Sequence, residues 1–271
     1  MAEKRLIDIR QLISSKNPTL IKWLPGFVIR YLERVLHQDE INNFLAEHAD
    51  KKDADFCQAV VDYLNIDITI NGLEHIPKTG PVIVAMNHPL GGMDALSFVA
   101  AMKTHRTDIK FIVNDLLMNL ENLTGLFVGV NKHGKNSVGT RTQIEQAFQE
   151  NDLLCIFPAG LVSRRIKGQV RDLEWKKTFV TFSKKLNQPI IPVFIDGELS
   201  NFFYNLSNFR KFIGIKANIE MLYLADELFK QRNKKMTFTI GKPLDPNHFS
   251  AALTDAQQAQ EIRSIVYSLT K

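Results

Sequence analysis

Five consecutive apolar residues, Val82-Ile83-Val84-Ala85-Met86, follow the turn-rich segment 74–81 and stop at Asn87-His88-Pro89. A run this short with no polar member fits a strand buried on both faces, and such a strand needs helices above and below it. The chain beyond it keeps alternating. Segments 110–113, 127–130, 153–157, 190–195 and 236–240 read as strands, while 94–103, 140–150 and 174–186 read as helices. Ile66, Ile68 and Ile70 alternate with Asp67 and Thr69, as in a half-buried strand. The expectation is an α/β fold with a central mixed sheet flanked by helices.

Residues 1–65 carry no strand signal. Leu24, Phe27, Val28, Tyr31, Leu32, Val35 and Leu36 recur at helical spacing, with Pro25 and Gly26 where that helix starts or bends. Two more helical stretches follow at 39–48 and 53–64. The simplest division is an N-terminal helical region, 1–65, and a catalytic domain, 66–271. At 271 residues the chain is long enough for one sizeable core, and 45% hydrophobic with 23% charged residues argues against extended disorder.

The two cysteines, Cys57 and Cys155, are too far apart for a CxxC motif and too few for a disulfide framework, which points to a reducing cytosol. The first ten residues lack the apolar stretch of a signal peptide, and no window nears the ~20 apolar residues of a membrane span. Membrane contact is therefore expected to be peripheral. Trp23, Leu24, Phe27, Val28, Tyr31 and Leu32 lie near Lys16, Lys22, Arg30 and Arg34, a mixture that suits an interfacial helix and equally a helix packed on the domain. Phe202, Phe203, Tyr204, Phe209 and Phe212, with Arg210 and Lys211, form a second candidate surface.

Chemistry is expected where the strand 82–86 ends. His88 leaves a buried strand, and Gly91-Gly92 allows a sharp turn before Asp94 at a helix start. A carboxylate on one imidazole nitrogen would leave the other to accept a proton. Read alone, the pair is equally a helix-capping acid and a loop histidine. A second strand end carries Phe157-Pro158-Ala159-Gly160-Leu161-Val162-Ser163-Arg164-Arg165, a turn followed by a hydroxyl and two cations able to hold an anion. Gly125-Leu126-Phe127-Val128-Gly129-Val130-Asn131-Lys132 and Pro189-Ile190-Ile191-Pro192-Val193-Phe194 read by themselves as core strands with turn residues.

In this order the four segments resemble the PlsC-like lysophospholipid and glycerolipid acyltransferase superfamily, with its Asn-His-x4-Asp, Gly-x-x-Phe-x-x-Arg, Phe-Pro-Glu-Gly-Thr-Arg-Ser and apolar proline-bearing boxes. Three departures stand out. Five residues, not four, separate His88 from Asp94; Asn131 stands where the second box has arginine; Ala159 and Leu161 replace Glu and Thr of the third. His-Pro-Leu-Gly-Gly-x-Asp and Phe-Pro-Ala-Gly-x-Val-Ser-Arg are similar to a hemolysin-like subgroup that includes ornithine- and glycine-lipid O-acyltransferases.

The resemblance implies that His88 is a general base oriented by Asp94, that an acyl thioester on acyl carrier protein or coenzyme A is the donor, and that no cofactor or metal is used. It implies acceptor binding by Asn131, Lys132, Ser163, Arg164 and Arg165, with backbone N–H groups near Gly160 as oxyanion donors. The acceptor would be a lipid hydroxyl, and the departures favour an N-acyl amino-acid lipid. The protein would work at the inner face of the cytoplasmic membrane. Acylation of 1-acylglycerol 3-phosphate, and a non-catalytic lipid-binding role on the same fold, are the alternatives.

Other motifs carry less. Gly134 to Arg141 has glycine spacing like a P-loop without its Lys-Ser/Thr pair, and Gly-x-Ser-x-Gly and Gly-x-Gly-x-x-Gly are absent. The remaining histidines lack metal-ligand spacing. A net charge of +5 suits lipid headgroups or an acidic carrier, and no aromatic interleaving supports nucleic acid as a partner.

Overall fold

The computed structural model describes residues 7–114, 120–130, 137–150 and 153–270. They divide into two units, one drawn from Met1–Lys51 and Ser200–Gln231, the other from Lys52–Leu199 and Arg232–Lys271.

The second unit is built on a seven-stranded sheet. Its strands are β1 (Asp67–Asn71), β2 (Val82–Met86), β3 (Ile109–Asn114), β4 (Phe127–Val130), β5 (Leu153–Ile156), β8 (Ile190–Asp196) and β9 (Lys235–Ile240). A two-stranded hairpin of β6 (Arg164–Ile166) and β7 (Gln169–Arg171) stands apart. The sheet order is β1-β9-β8-β2-β5-β3-β4, parallel throughout except for the antiparallel β8–β9 pair. This is the mixed sheet expected from the alternating pattern.

Every residue of β2 is buried, because β2 lies between β5 and β8 and its two faces are covered. The flanking helices are α5 (Asp53–Tyr63), α6 (Gly92–Met102), α7 (Ser137–Glu150), α8 (Thr178–Leu186) and α11 (Asp255–Ser268). On one face Ile83, Leu154 and Ile190 pack with Phe179, Phe182, Ala259, Ile262 and Val266. Burying a side chain of this size contributes about 1.5–3 kcal/mol. Edge strand β1 shows alternating exposure, as its isoleucines predicted.

The first unit contains α1 (Ile9–Lys16), α2 (Pro18–Trp23), α3 (Gly26–Val35), α4 (Gln38–Glu47), α9 (Asn201–Phe212) and α10 (Leu224–Phe229). The expected boundary at residue 65 is therefore corrected in two ways. Helix α5 belongs with the sheet and packs on α6, since its Phe56, Cys57, Val60 and Val61 are buried. Residues 200–231, inserted between β8 and β9, join the N-terminal helices. Tyr31 and Tyr223 make that join through a 2.8 Å hydroxyl contact, and His37 bridges Glu40 and Asp226.

Candidate active site

Parallel pairing brings β2 and β5 out of the sheet at the same edge: Ala85 is opposite Ile156, so Asn87-His88 and Phe157-Pro158 emerge side by side. Asn87 is buried and fastens this edge to β8, donating from Nδ2 to the Ile195 carbonyl at 2.9 Å and accepting the Ile195 N–H at 2.7 Å. The first box asparagine is thus a strand-end clasp that holds the base of the His88 loop.

Gly91 takes φ 71° and ψ −133°, a region only glycine occupies without strain, and caps the start of α6. The turn it makes absorbs the extra residue between His88 and Asp94. Asp94 then sits in the first turn of α6, fully buried, where the helix dipole favours its negative charge. Its Oδ2 meets His88 Nδ1 at 2.8 Å, and the Leu90 N–H donates to both carboxylate oxygens at 3.0 and 3.2 Å. Gly91, not Asp94, is the helix cap, so the acid is spent on the histidine and its loop. Burial pushes the Asp94 carboxyl up; the His88 hydrogen bond, the His88 charge and the Leu90 N–H pull it back, and nearby Asp172 adds to the rise.

With Asp94 ionised, the imidazole donates from Nδ1, and the Nε2 lone pair remains as a base. The His88 side chain is 19% exposed. Its ring stacks on Phe157 with centroids 4.0 Å apart and planes 20° apart, and Phe157 in turn stacks on Phe111. Imidazole orientation is thereby set from two sides, by a carboxylate and by an aromatic face.

The loop after β5 departs from expectation. Gly160 has φ +68°, and its N–H donates to the Phe157 carbonyl at 2.9 Å. That donor closes a turn, so Gly160 is not an available oxyanion group. Ser163 is buried, and its hydroxyl donates to Asp172 at 2.6 Å; it holds the loop and does not present a hydroxyl to an acceptor. Arg164 is also buried, with its guanidinium against the carbonyls of Val162 and Ser163. Adjacent strand residues point to opposite sides, which is why Arg165 is turned the other way. Arg165 is half-buried, 3.5 Å from Glu198. Asn131 and Lys132 lie outside the described residues.

Sequence reasoning missed Asp172, Trp175 and Tyr267. Lys167 and Gly168 both have positive φ, the backbone of a tight two-residue hairpin turn. This turn sets the β6–β7 register with Arg164 opposite Arg171, which brings Ser163 and Asp172 together. The Lys-Gly pair between short β-rich segments was the available signal. Trp175 was expected inside a helix from 174; the helix starts at Thr178, because the Trp175 indole is drawn down to Asp172, where Nε1 donates at 2.8 Å. Among the described residues, no group of His, Cys, Asp and Glu side chains is arranged to hold a metal ion.

Comparison with known proteins gives the family and the fold. A family described as "Acyltransferase" matches residues 11–271. The chain is 45% identical over 265 residues to a lyso-glycine lipid O-acyltransferase of Bacteroides thetaiotaomicron, covering 97% of both proteins. It is 43% identical over 266 residues to a protein of the same name from Phocaeicola vulgatus, covering 97% of this chain and 95% of that one. Its fold is similar to that of the 1-acyl-sn-glycerophosphate acyltransferase PlsC of Thermotoga maritima, with a TM-score of 0.50 at 19% identity over 96% of this chain and 91% of the other. The chain belongs to the acyltransferase family, on the PlsC-like fold.

Proposed function

We propose that this protein transfers a fatty acyl group from an acyl thioester, on acyl carrier protein or coenzyme A, to the hydroxyl of a lyso-glycine lipid, with His88 as general base. The observation that carries this reading is the 2.8 Å contact between His88 Nδ1 and buried Asp94 at the end of a central parallel strand. Relatives at 45% and 43% identity support the acceptor class.

Nε2 of His88 takes the proton of the acceptor hydroxyl as its oxygen attacks the thioester carbonyl. The C–O bond forms, the tetrahedral oxyanion collapses, the C–S bond breaks, and the imidazolium returns its proton to the leaving thiolate. Asp94 stabilises the imidazolium between the two transfers. A glycine lipid joined through its nitrogen keeps a carboxylate, which Arg165 and Lys132 are suited to meet.

The first unit supports work at a membrane surface. Trp23 is 81% exposed and Phe212 88%, with Phe27, Phe202, Phe209 and Leu222 also exposed. The Tyr31–Tyr223 contact and the Phe202–Tyr223 ring pair connect α3 to residues 201–223. Arg34 lies over Tyr31 and Lys230 over Phe202, so cations rim the aromatic face. Apolar side chains ringed by positive charge suit the headgroup layer of an anionic bilayer, and this supports a peripheral position on the inner face of the cytoplasmic membrane as part of the proposal. Among the described residues no helix is long and apolar enough to cross a membrane.

The deciding experiment assays the purified protein with one acyl-carrier donor and two acceptors, a lyso-glycine lipid and a lysophosphatidate, with His88→Ala as control. Preference for the glycine lipid and loss of turnover in the control are expected. Preference for lysophosphatidate overturns the acceptor and leaves the base intact; full turnover by a folded His88→Ala protein overturns the mechanism.

A further inference from the structure

Asp172 has no place in the four boxes, yet more of the site converges on it than on any other described side chain. Its carboxylate is fully buried. Oδ1 accepts the main-chain N–H of His88 at 3.1 Å and the Ser163 hydroxyl at 2.6 Å, and Oδ2 accepts Trp175 Nε1 at 2.8 Å. Its own N–H donates to the Tyr267 hydroxyl at 2.7 Å, and its carbonyl accepts from Arg263, both on α11. The Ser163 N–H donates to the His88 carbonyl at 2.8 Å. The His88 residue is thus gripped at both ends of its main chain, at N–H by Asp172 and at C=O by Ser163.

Three donors converge on this buried carboxylate, and hydrogen bonds to a carboxylate are among the stronger ones. The charged and titratable groups around it are Asp94 on α6, His88 itself, the hairpin pair Arg164 and Arg171, the latter lying over the Tyr267 ring, and Arg263 and Tyr267 on α11. Burial and the Asp172 charge push the Tyr267 phenol up, so Tyr267 remains a neutral hydroxyl. Arg263 Nε is buried without a hydrogen-bond partner, while another nitrogen of its guanidinium reaches the Asp172 carbonyl. No described cation forms an ion pair with the Asp172 carboxylate, and its Oδ1 lies 3.1 Å from the main-chain nitrogen of His88.

We propose that Asp172 is a positioning residue for acyl transfer: its buried carboxylate fixes the main chain of His88, and its charge favours the imidazolium formed when His88 takes the acceptor proton. This rests on His88 being the base. A role confined to holding the loop would alter rate and stability alone. A role through charge also alters the pH at which His88 becomes competent, because loss of a neighbouring negative charge disfavours the protonated ring.

The test compares wild-type protein with the nearly isosteric Asp172→Asn in full pH profiles of kcat and kcat/KM, using a lyso-glycine lipid and an acyl-carrier donor. In Asp172→Asn, kcat is expected to fall about 10- to 100-fold, with KM for either substrate changing less than about threefold. The acidic limb of kcat/KM should move to lower pH by about half a unit or more. A folded Asp172→Asn protein with wild-type kcat, or with an unmoved acidic limb, overturns the proposal. Should Asp172→Asn fail to fold, Ser163→Ala serves instead: it removes the shortest bond to Oδ1 and keeps the charge. It should lower kcat at least about threefold without moving the limb downwards, and unchanged kcat there also overturns the proposal. Activity in His88→Ala would instead remove the premise, so the two failures are distinguishable.

Discussion

Ser163 donates its main-chain N–H to the carbonyl of His88 at 2.8 Å, so the loop after β5 is bonded directly to the loop after β2. The two boxes, 75 residues apart in number between His88 and Ser163, are one structural piece. What affects the geometry of either is felt by the imidazole.

Asp94 is the acid in this piece whose removal should affect catalysis most sharply. Asp94→Asn keeps shape and the Leu90 contact but replaces a carboxylate that stabilises imidazolium with an amide that does not. A fall in kcat of about 100-fold or more is expected, with little change in melting temperature. Steady-state kinetics beside a thermal melt would check this; a loss below tenfold would mean that the Nδ1 contact does not support the chemistry.

Gly91 and Gly92 are neighbours in sequence with different tolerances. At φ 71° and ψ −133° an added Cβ strains Gly91, and Gly91→Ala should cost about 1–3 kcal/mol and lower activity by displacing Asp94. Gly92 is exposed at the first position of α6, where alanine is a better helix former, so Gly92→Ala should be neutral or slightly stabilising. Denaturant unfolding of both variants measures the difference.

The two arginines that follow Ser163 should separate in the same way. Arg164→Ala removes a buried guanidinium that satisfies loop carbonyls and should destabilise the fold by about 1.5–3 kcal/mol. Arg165 is half-buried and held at 3.5 Å by an exposed Glu198, a weak pairing that a substrate carboxylate can replace. Arg165→Ala should raise KM for the lipid acceptor severalfold and leave KM for the acyl donor within about twofold. Equal effects on both KM values would remove Arg165 from the acceptor site.

Membrane attachment should need both parts of the first unit. Trp23→Ala with Phe27→Ala, and separately Phe209→Ala with Phe212→Ala, should each weaken co-sedimentation with vesicles containing anionic lipid, by about tenfold, and high salt should weaken it further. Binding that ignores the second pair would confine attachment to the N-terminal helices.

The sheet was legible because its central strand is buried on both faces and therefore apolar without interruption, as in Val82–Met86. That His88 and Asp94 belong together was legible only from the order of the four boxes, because read alone the pair was equally a helix cap and a loop histidine; in the structure they meet at 2.8 Å. Long-range consequences of register were not. Asp172 joins the site only when the Lys167-Gly168 turn aligns β6 with β7, and Gly160 is lost as a donor only when its N–H turns back on Phe157. Arg164 and Arg165 look alike in sequence, and alternation along a strand three residues long sends them to different environments. The helical insertion at 201–229 was read as a surface of aromatic residues, yet Phe203, Tyr204, Ser207 and Arg210 form a buried stripe on α9 that needs a neighbour to cover it.

The threading of the chain has a consequence for its birth on the ribosome. The first unit draws on Met1–Lys51 and Ser200–Gln231, so its earliest helices wait for a segment made roughly 150 residues later, about 10–30 s at ordinary rates of translation. Strand β1 waits longer still, because β9 inserts between it and β8 and is the last strand of the described sheet to be synthesised. Until β9 is made, β1 has no partner and β8 keeps an unpaired edge, a state open to wrong pairing.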